Sequence, residues 1–394
     1  MQLITKKYIR VESLSSMLLF LAALLALCIS NTELNEQYVK FVNFPISVTL
    51  GDYSLTKPLI KWVNDGLMAL FFLVLTLEAK FLFFEGELID KSYLPLAVIA
   101  ATGGAIMPAL IYILFTFSDP ILTKGWGIPI ATDTAFVLGI VYFLLHKLPS
   151  NIRIFILSLS IIDDIIAVLV LAIFYTPVIH FIPLLLGAVC IIVLALFNFW
   201  NIRRLFPYLL LGMGLWFALI ETGIHGTIAG VILGLFIPLH NDPAQHSLSS
   251  PLKRLESFLH PIVSFIVLPL FAFLNAEISF KEVTYDDFSS LVAMGIIAGL
   301  CIGKPLGIML SSYMSVKLRF CKFPHGLSWG KYLGISILCG IGFTFSLFIG
   351  VLSFNDEYLI NQMKIGVLIG SLLSCFLGII LLLCTATQAH AQRK

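Results

Sequence analysis

The sequence predicts an all-α polytopic membrane protein that crosses the bilayer about twelve times. Of its 394 residues, 59% are hydrophobic and only 12% are charged, whereas soluble domains carry roughly 25% charged residues. Its apolar runs have the length of a membrane-spanning helix, about 17–25 residues. The predicted spans are 14–30, 59–84, 94–116, 121–144, 150–174, 178–198, 204–220, 222–237, 256–277, 290–316, 330–353 and 358–385.

The distribution of basic residues predicts the orientation in the membrane. An even number of spans places both termini on one side, and seventeen of the 24 Lys and Arg residues fall on that side. Because cytoplasmic loops are enriched in Lys and Arg, both termini are predicted to be cytoplasmic. The first apolar run follows Lys6, Lys7 and Arg10 as in a signal peptide, but no A-x-A site follows it. It is therefore interpreted as the first helix.

The spans and their loops are predicted to form a single transmembrane domain, residues 1–394. Residues at about 45–57 alternate around Gly51 and Asp52, a pattern typical of a short extracytoplasmic β-hairpin. Because an exposed hairpin edge can pair with a second copy, a homodimer through this hairpin is a candidate assembly. Residues at about 238–255 are predicted to be a cytoplasmic linker. The seven cysteines lack metal-ligand spacing, and no cofactor or nucleic-acid partner is predicted.

Four acidic or basic residues lie near the middle of predicted spans: Asp133, Asp163, Asp164 and Lys304. A charge at the centre of a membrane helix costs about 2.5–3.5 kcal/mol. A structural salt bridge to the single lysine would account for only one of the three acids. The remaining acids are therefore predicted to have a function.

Two of the spans contain residues that weaken a helix. Irregular backbone inside a bilayer is stable only where it lines a water-filled cavity or is buried in protein. Two interrupted spans in corresponding halves indicate the binding site of a transporter. The residues concerned are Gly125, Gly127, Pro129, Thr132 and Thr134 around Asp133 in the fourth span, and Gly340, Gly342 and Thr344 in the eleventh.

These residue types predict a site for a small hard cation. Adjacent helix positions point about 100° apart, so Asp163 and Asp164 face different surroundings, and one of them is expected to share a site with Asp133. Carboxylates, threonine hydroxyls and freed carbonyl groups suit Na⁺ or Li⁺. The same carboxylates also bind protons. If a cation and a proton cannot occupy the site together, and the site opens to one side of the membrane at a time, the protein exchanges cations for protons across the membrane.

Several stretches resemble the NhaA-type sodium/proton antiporters of bacterial inner membranes. They are "IPIATDTAFVLGI", "LSIIDDIIAVLVLAIFYT", "HGTIAGVILGLFIPL", "LPLFAFLNA", "GKPLGI" and "LCGIGFTFSLFI", and the second span is similar as well. The resemblance runs from the second span to the eleventh. It implies inverted repeats in which spans four and eleven are broken near mid-membrane and cross one another.

The resemblance also implies roles for individual residues. Asp164 would be the principal cation ligand, with Asp163 helping to carry protons and Thr132 supporting the site. Asp133 would offset the partial positive charge of the facing half-helix N-termini, and Lys304 would offset the C-termini and pair with Asp163. Such proteins exchange cytoplasmic Na⁺ or Li⁺ for a larger number of external protons. This exchange is electrogenic, is driven by the proton gradient, and serves sodium and pH homeostasis.

The cytoplasmic entrance departs from the family pattern. The family commonly has an arginine, a glutamate and a histidine where this chain has Phe81, Leu82 and Ser257. Because such charged groups are associated with pH activation, we expect activation to be shifted or blunted here. The remaining candidates for a pH response are Glu78, Lys80, His225, Glu256 and His260. Interfacial solvation is the alternative interpretation of Glu78 and Glu256, and helix packing is that of His225.

Three other functions are less consistent with the sequence. A sodium-coupled symporter of an organic solute on a similar scaffold would need polar anchors for the solute, and the spans offer little beyond the ion ligands. An intramembrane aspartyl protease would need acids on separate helices, one in a Gly-x-Gly-Asp sequence, which does not occur. A passive cation channel has no need of Lys304 or of broken helices in both halves. The sequence therefore predicts a transporter and not an enzyme.

Overall fold

The computed structural model describes residues 2–50, 53–85, 93–144, 150–175, 181–239, 250–279 and 285–391, and these are mostly helical. The helices are α1 Gln2–Ser30, α2 Asn35–Val42, α3 Leu59–Trp62, α4 Met68–Glu85, α5 Leu94–Thr116, α6 Pro120–Thr123, α7 Thr134–Leu144, α8 Ser150–Phe174, α9 Phe181–Phe199, α10 Leu205–Thr222, α11 Thr227–Phe236, α12 Pro251–Ile262, α13 Leu268–Asn275, α14 Tyr285–Phe288, α15 Leu291–Ala298, α16 Lys304–Lys317, α17 Trp329–Leu338, α18 Phe343–Ser353 and α19 Glu357–Ala391. The strands are β1 Pro45–Leu50 and β2 Tyr53–Pro58. Wider π-helical turns occur at Val63–Leu67, Val263–Val267 and Gly299–Gly303, and a 3-10 helix at Lys124–Ile130.

Within the described residues, seven helical segments are long and apolar enough to cross a membrane. They are Leu59–Phe84, Leu94–Thr116, Ile154–Phe174, Leu205–Thr222, Pro251–Asn275, Leu291–Lys317 and Glu357–Thr385. The bent pair Trp329–Leu338 and Phe343–Ser353, with an angle of 45°, would be an eighth. Shorter apolar helices lie at Leu14–Ser30, Pro183–Phe199 and Thr227–Phe236. The helical, membrane-spanning class is therefore confirmed, and the count of twelve spans stays a prediction.

The predicted hairpin is present as a two-stranded antiparallel sheet. β1 and β2 pair from Pro45 opposite Pro58 to Leu50 opposite Tyr53, so the strands reach one residue beyond the predicted end. The turn residues 51–52 lie outside the described ranges.

The predicted cytoplasmic linker is described only in part, because residues 240–249 lie outside the described ranges. Its C-terminal end is helical, since α12 begins at Pro251. The Ser250 hydroxyl caps this helix by accepting a hydrogen bond from the backbone N–H of Lys253 at 3.2 Å.

The boundary between the seventh and eighth predicted spans differs from the expected one. The predicted spans 204–220 and 222–237 meet at Glu221, but Glu221 lies inside α10, which continues to Thr222. The helix ends there because Gly223 adopts a left-handed conformation with φ of 89°, which glycine allows without steric cost. The next helix begins at Thr227, and His225 lies in the connection.

The chain divides into two compact units. The first unit consists of Met1–Met17, Glu87–Leu171 and Ile278–Lys394. In it α5 packs against α15 and α16, while α19 packs against α15 and α17. The α5–α16 contact is close because both helices present glycine. A Cβ atom on Gly307 of α16 would overlap the Gly103 carbonyl oxygen of α5, so glycine is required there.

The second unit consists of Leu18–Gly86 and Ala172–Glu277, and it contains the hairpin. In it α4 packs against α11 and α12, and α9 packs against α10. Asn64 and Asn275 exchange two side-chain hydrogen bonds of 3.0 and 2.9 Å. Both amides are buried, and the reciprocal pair satisfies polar groups that would be costly if left unbonded.

Both predicted helix interruptions are present in the first unit. The first break, residues 131–133, lies between the 3-10 helix and α7. Pro129 lies in the 3-10 helix that leads up to this break, and because proline lacks an N–H donor and disfavours α-helical backbone at the residue before it, no regular α-helix forms there. The second break, residues 339–342, lies between α17 and α18. Here a Cβ atom on Gly340 would overlap the Leu300 carbonyl oxygen, so only glycine fits.

Candidate functional site

The two breaks contact each other. The Thr132 hydroxyl donates to the Cys339 carbonyl oxygen at 2.7 Å, and the Asp133 backbone N–H donates to the Ile341 carbonyl oxygen at 2.6 Å. Backbone groups released by an interrupted helix need partners inside a bilayer. The two breaks supply such partners to one another, and the Thr132 hydroxyl oxygen keeps lone pairs that can bind a cation.

Asp133 caps two half-helices with one carboxylate. Its Oδ2 atom accepts hydrogen bonds from the Thr344 N–H at 3.1 Å and from the Thr344 hydroxyl at 2.5 Å, both in the first turn of α18. Its Oδ1 atom accepts a longer one, 3.4 Å, from the Phe136 N–H in the first turn of α7. The first turns of two helices have unpaired N–H groups and partial positive charge. The buried Asp133 carboxylate interacts favourably with both.

Lys304 and Asp163 form a buried ion pair. The Lys304 Nζ atom lies 2.7 Å from Asp163 Oδ1 and 2.6 Å from Oδ2, and the two side chains are 0% and 4% exposed. The ammonium group also donates to the Ile130 carbonyl oxygen, next to the first break. The ammonium group of Lys304 therefore binds Asp163 and a backbone carbonyl group.

Asp164 has different surroundings from its neighbour. Its Oδ2 atom accepts a 2.8 Å hydrogen bond from the Thr134 hydroxyl. Its Oδ1 atom is buried and has no hydrogen-bond partner within the described part of the chain. Because Lys304 is paired with Asp163, the Asp164 carboxylate keeps one oxygen available for a cation.

Thr134 makes a contact that the sequence does not predict, since the sequence indicates only a hydroxyl beside Asp133. In the structure its hydroxyl contacts Asp164, thirty positions further along the chain. No local pattern indicates this contact, because it depends on how α7 and α8 are placed.

The glycines of the fourth span lie in the 3-10 helix before the first break. A Cβ atom on Gly125 would lie 2.7 Å from the Phe354 ring and would overlap the Tyr112 hydroxyl. Gly127 and Pro129 are buried in the same segment. Gly342, in the second break, lies where a Cβ atom would be 3.1 Å from the Ala131 carbonyl oxygen. Small residues therefore allow the two breaks to approach.

The predicted entrance residues all belong to the second unit. His260 Nε2 lies 3.5 Å from Glu78 Oε1, an ion pair when the histidine is protonated. Lys80 donates to the Leu235 and Ile237 carbonyl oxygens at 2.6 and 2.7 Å, and so caps the C-terminus of α11. Glu78, Lys80 and His260 therefore join α4 to α11 and α12.

The other entrance residues lie in the same unit. His225 Nε2 lies 2.8 Å from the Tyr175 carbonyl oxygen. Glu256 is half-buried on α12, one turn before His260. Phe81, where the family commonly has an arginine, lies with its ring centroid 4.2 Å from the Lys253 Nζ atom. This cation–π contact places a positive group against the aromatic side chain.

The geometry can be compared with known proteins. The family described as Na⁺/H⁺ antiporter 1 matches residues 6–382. A Na⁺/H⁺ antiporter NhaA from Citrobacter koseri is 43% identical over 370 residues, which cover 93% of this chain and 94% of that protein. The NhaA of Proteus mirabilis is 42% identical over 396 residues and covers 100% of both chains. An NhaA of Escherichia coli is 42% identical over 370 residues, or 93% and 94% of the two chains.

The fold and site define a membrane transport protein. Its buried carboxylates and buried lysine lie beside two helix breaks that contact each other, among apolar helices long enough to cross a membrane. Within the described residues no three His, Cys, Asp or Glu side chains form a site for a resident metal ion. The chain belongs to the Na⁺/H⁺ antiporter 1 family. Because the members of this family are transporters, the protein is a transporter and not an enzyme.

Proposed function

We propose that this protein exchanges cytoplasmic Na⁺ or Li⁺ for external H⁺. The observation that supports this most directly is the buried Asp164 carboxylate, whose Oδ1 atom has no hydrogen-bond partner among the described residues. Asp163, next to it, is neutralised by Lys304. In a chain that belongs to a Na⁺/H⁺ antiporter family, a carboxylate with a free oxygen is the natural ligand for the transported cation.

Competition for one site couples the two ions. A carboxylate oxygen binds either a hard cation or a proton, and the two exclude each other. Asp164 is the principal ligand, and the Thr132 hydroxyl and the carbonyl groups of the breaks complete the coordination. Na⁺ bound at Asp164 is released when protons arrive, so each turnover moves the ions in opposite directions.

Asp163 and Lys304 supply a second proton-binding step. When the ion pair separates, Asp163 can take up a proton and later return it on pairing again with the lysine. Asp133 keeps its place as the cap of α7 and α18 and offsets their partial positive charge. More than one proton then enters for each cation, so exchange is electrogenic and uses the proton gradient without a nucleotide or other cofactor.

The proposed setting is the bacterial inner membrane, with both termini in the cytoplasm and twelve spans arranged as inverted repeats. The bias of seventeen in 24 basic residues towards one side supports the orientation. The two broken spans support the repeats. Export of sodium against proton entry would serve sodium and pH homeostasis. The sodium-coupled symporter is not favoured, because the relatives compared above are named antiporters.

We also propose a homodimer that forms through the hairpin. β1 and β2 pair only with each other among the described residues, so each strand keeps one outer edge that can pair with a second copy. Removal of both strands should convert a dimer in detergent into a monomer, as measured by light scattering. An unchanged mass would contradict the assembly without affecting the transport proposal.

Reconstituted vesicles test the exchange directly. Addition of Na⁺ to proteoliposomes with an imposed pH gradient should dissipate the gradient. The rate should respond to the membrane potential because net charge moves. Asp164→Asn, which removes a ligand and a proton site, should abolish exchange, and Asp163→Asn should abolish or strongly impair it. Na⁺ movement without any change in luminal pH, or wild-type rates in Asp164→Asn, would contradict the proposal.

A further inference from the structure

One turn of α8 carries two unsatisfied polar atoms. Within the described part of the chain, Ser160 Oγ and Asp164 Oδ1 are both buried without a hydrogen-bond partner. The two residues are only 1% and 4% exposed. Buried polar groups are nearly always hydrogen-bonded, because leaving them unbonded costs free energy. Two such atoms on neighbouring side chains therefore require an explanation.

The spacing places the two side chains on the same face of the helix. Residues four apart on an α-helix are neighbours, with Cβ atoms about 5–6 Å from each other. A small cation between two such side chains is within reach of an oxygen atom from each. Asp164 is oriented by Thr134, whose hydroxyl holds the other carboxylate oxygen, Oδ2, at 2.8 Å.

Ser158, on the same helix, shows how a serine in this setting is usually satisfied. Its hydroxyl donates to the Ile154 carbonyl oxygen one turn earlier, at 2.8 Å. Such a bond back to the preceding turn is common for serine in helices. Among the described residues Ser160 Oγ makes neither this bond nor any other, so the hydroxyl can bind a ligand.

We propose that Ser160 Oγ is a ligand of the transported cation, acting together with the Asp164 carboxylate. A serine hydroxyl is a neutral hard oxygen that can replace one water of the ion's hydration shell. It does not titrate, so it should strengthen cation binding without adding a proton-binding group. Ser160 thereby sets the affinity for Na⁺ and the balance between Na⁺ and Li⁺. The inference rests on the proposed function and names a further residue of the same site.

Substitution at the two serines separates this role from simple packing. Ser160→Ala and the nearly isosteric Ser160→Cys remove the hydroxyl, Ser160→Thr retains it, and Ser158→Ala is the matched control. In proteoliposomes at constant pH, Ser160→Ala and Ser160→Cys should raise KM for Na⁺ about tenfold, equivalent to about 1.4 kcal/mol, with kcat unchanged. Ser160→Thr should restore a low KM, and Ser158→Ala should behave as wild type. The ratio of the KM values for Na⁺ and Li⁺ should change only in the Ser160 variants that lack the hydroxyl.

Binding without transport gives a second readout. A ligand that binds the folded state stabilises it, so Na⁺ should raise the Tm of the purified protein. In Ser160→Ala the same rise should require about tenfold more Na⁺. The ligand role would be overturned if KM for Na⁺ stayed within about twofold of wild type in both hydroxyl-free variants. It would also be overturned if Ser158→Ala raised KM for Na⁺ as much as Ser160→Ala does.

The two proposals fail in different ways. If exchange is intact but Ser160→Ala has the wild-type KM and Na⁺ dependence of Tm, only the ligand role fails. If the wild-type protein moves no protons in response to Na⁺, yet Na⁺ stabilises it through Ser160, the exchange proposal fails and the ligand role stands. A wild-type protein that neither exchanges nor is stabilised by Na⁺ would overturn both.

Discussion

The Lys304 ammonium group lies 2.6 and 2.7 Å from the two carboxylate oxygens of Asp163, and neither side chain is appreciably exposed. Removing one partner of a buried pair leaves an uncompensated charge, at a cost of about 3–5 kcal/mol. Lys304→Ala should therefore lower the stability strongly and weaken electrogenic coupling. Thermal unfolding in detergent and the response of transport to membrane potential measure these effects.

An exposed ion pair provides the control for this prediction. Lys40 and Glu36 are also 2.6 Å apart, but their side chains are 73% and 80% exposed. Such pairs contribute little, about 0–1 kcal/mol, so Lys40→Ala should have a small effect on stability.

The double variant Lys304→Ala/Asp163→Asn should recover part of the stability that Lys304→Ala loses. A Tm for Lys304→Ala equal to that of Lys40→Ala, with full coupling, would show that the pair has another role.

Thr344 contributes two hydrogen bonds to Asp133, and only one depends on its side chain. Thr344→Val keeps the N–H donor and the shape but removes the hydroxyl. A hydrogen bond to a charged group contributes about 1.5–3 kcal/mol, and Tm should fall accordingly. Thr344→Ser retains the hydroxyl and should remain near wild type. If both variants unfold at the same temperature, the hydroxyl does not support the shared cap.

Gly340 in the second break should not tolerate a side chain. A Cβ atom there would overlap the Leu300 carbonyl oxygen and lie 2.6 Å from the Ser374 hydroxyl. Gly340→Ala should destabilise the protein by about 1–3 kcal/mol, as overpacking does, and reduce transport. Gly214→Ala in α10 is the control, since its nearest neighbour would be Cys190 Sγ at an ordinary 3.7 Å. Equal melting temperatures for the two variants would refute the steric argument.

The pH dependence of transport should be shallower than the pH activation with which the family's charged entrance groups are associated. Phe81, Leu82 and Ser257 do not titrate at the three entrance positions, and Phe81 instead contacts Lys253. The Glu78–His260 pair remains as a titratable contact. Initial rates at saturating Na⁺, measured from mildly acidic to mildly alkaline pH, give the profile. A steep rise on the alkaline side would contradict this expectation.

The class, the hairpin and both helix interruptions could be predicted from the sequence because each has a local cause. The length of an apolar run determines whether it can span the membrane. A turn between two segments of alternating apolar and polar residues predicts a hairpin. The first break follows a segment with Pro129, whose missing N–H donor prevents a regular α-helix over the preceding turn. These features depend on residues that are close together in the chain.

Features that depend on three-dimensional packing were not predictable in the same way. The contact between Thr134 and Asp164 joins two helices. The unsatisfied hydroxyl of Ser160 becomes visible only when its neighbours are known, since Ser158, two positions earlier, is bonded. The end of α10 differs from the predicted boundary because the left-handed Gly223 terminates the helix, while the acidic Glu221 lies within its last turn.

The π-helical turn Gly299–Gly303 also has a consequence for the register of its span. An ordinary α-helix has 3.6 residues per turn, so a four-residue repeat drifts about 40° around the axis at each step. The glycines that repeat every four residues here are Gly295, Gly299, Gly303 and Gly307. The wider π-helical turn counteracts the drift, so these glycines stay directed at α5, where the close contacts occur. Deleting one residue from this turn would rotate Lys304 by about 100° and carry its ammonium group away from Asp163, so the number of residues here determines where the charge points.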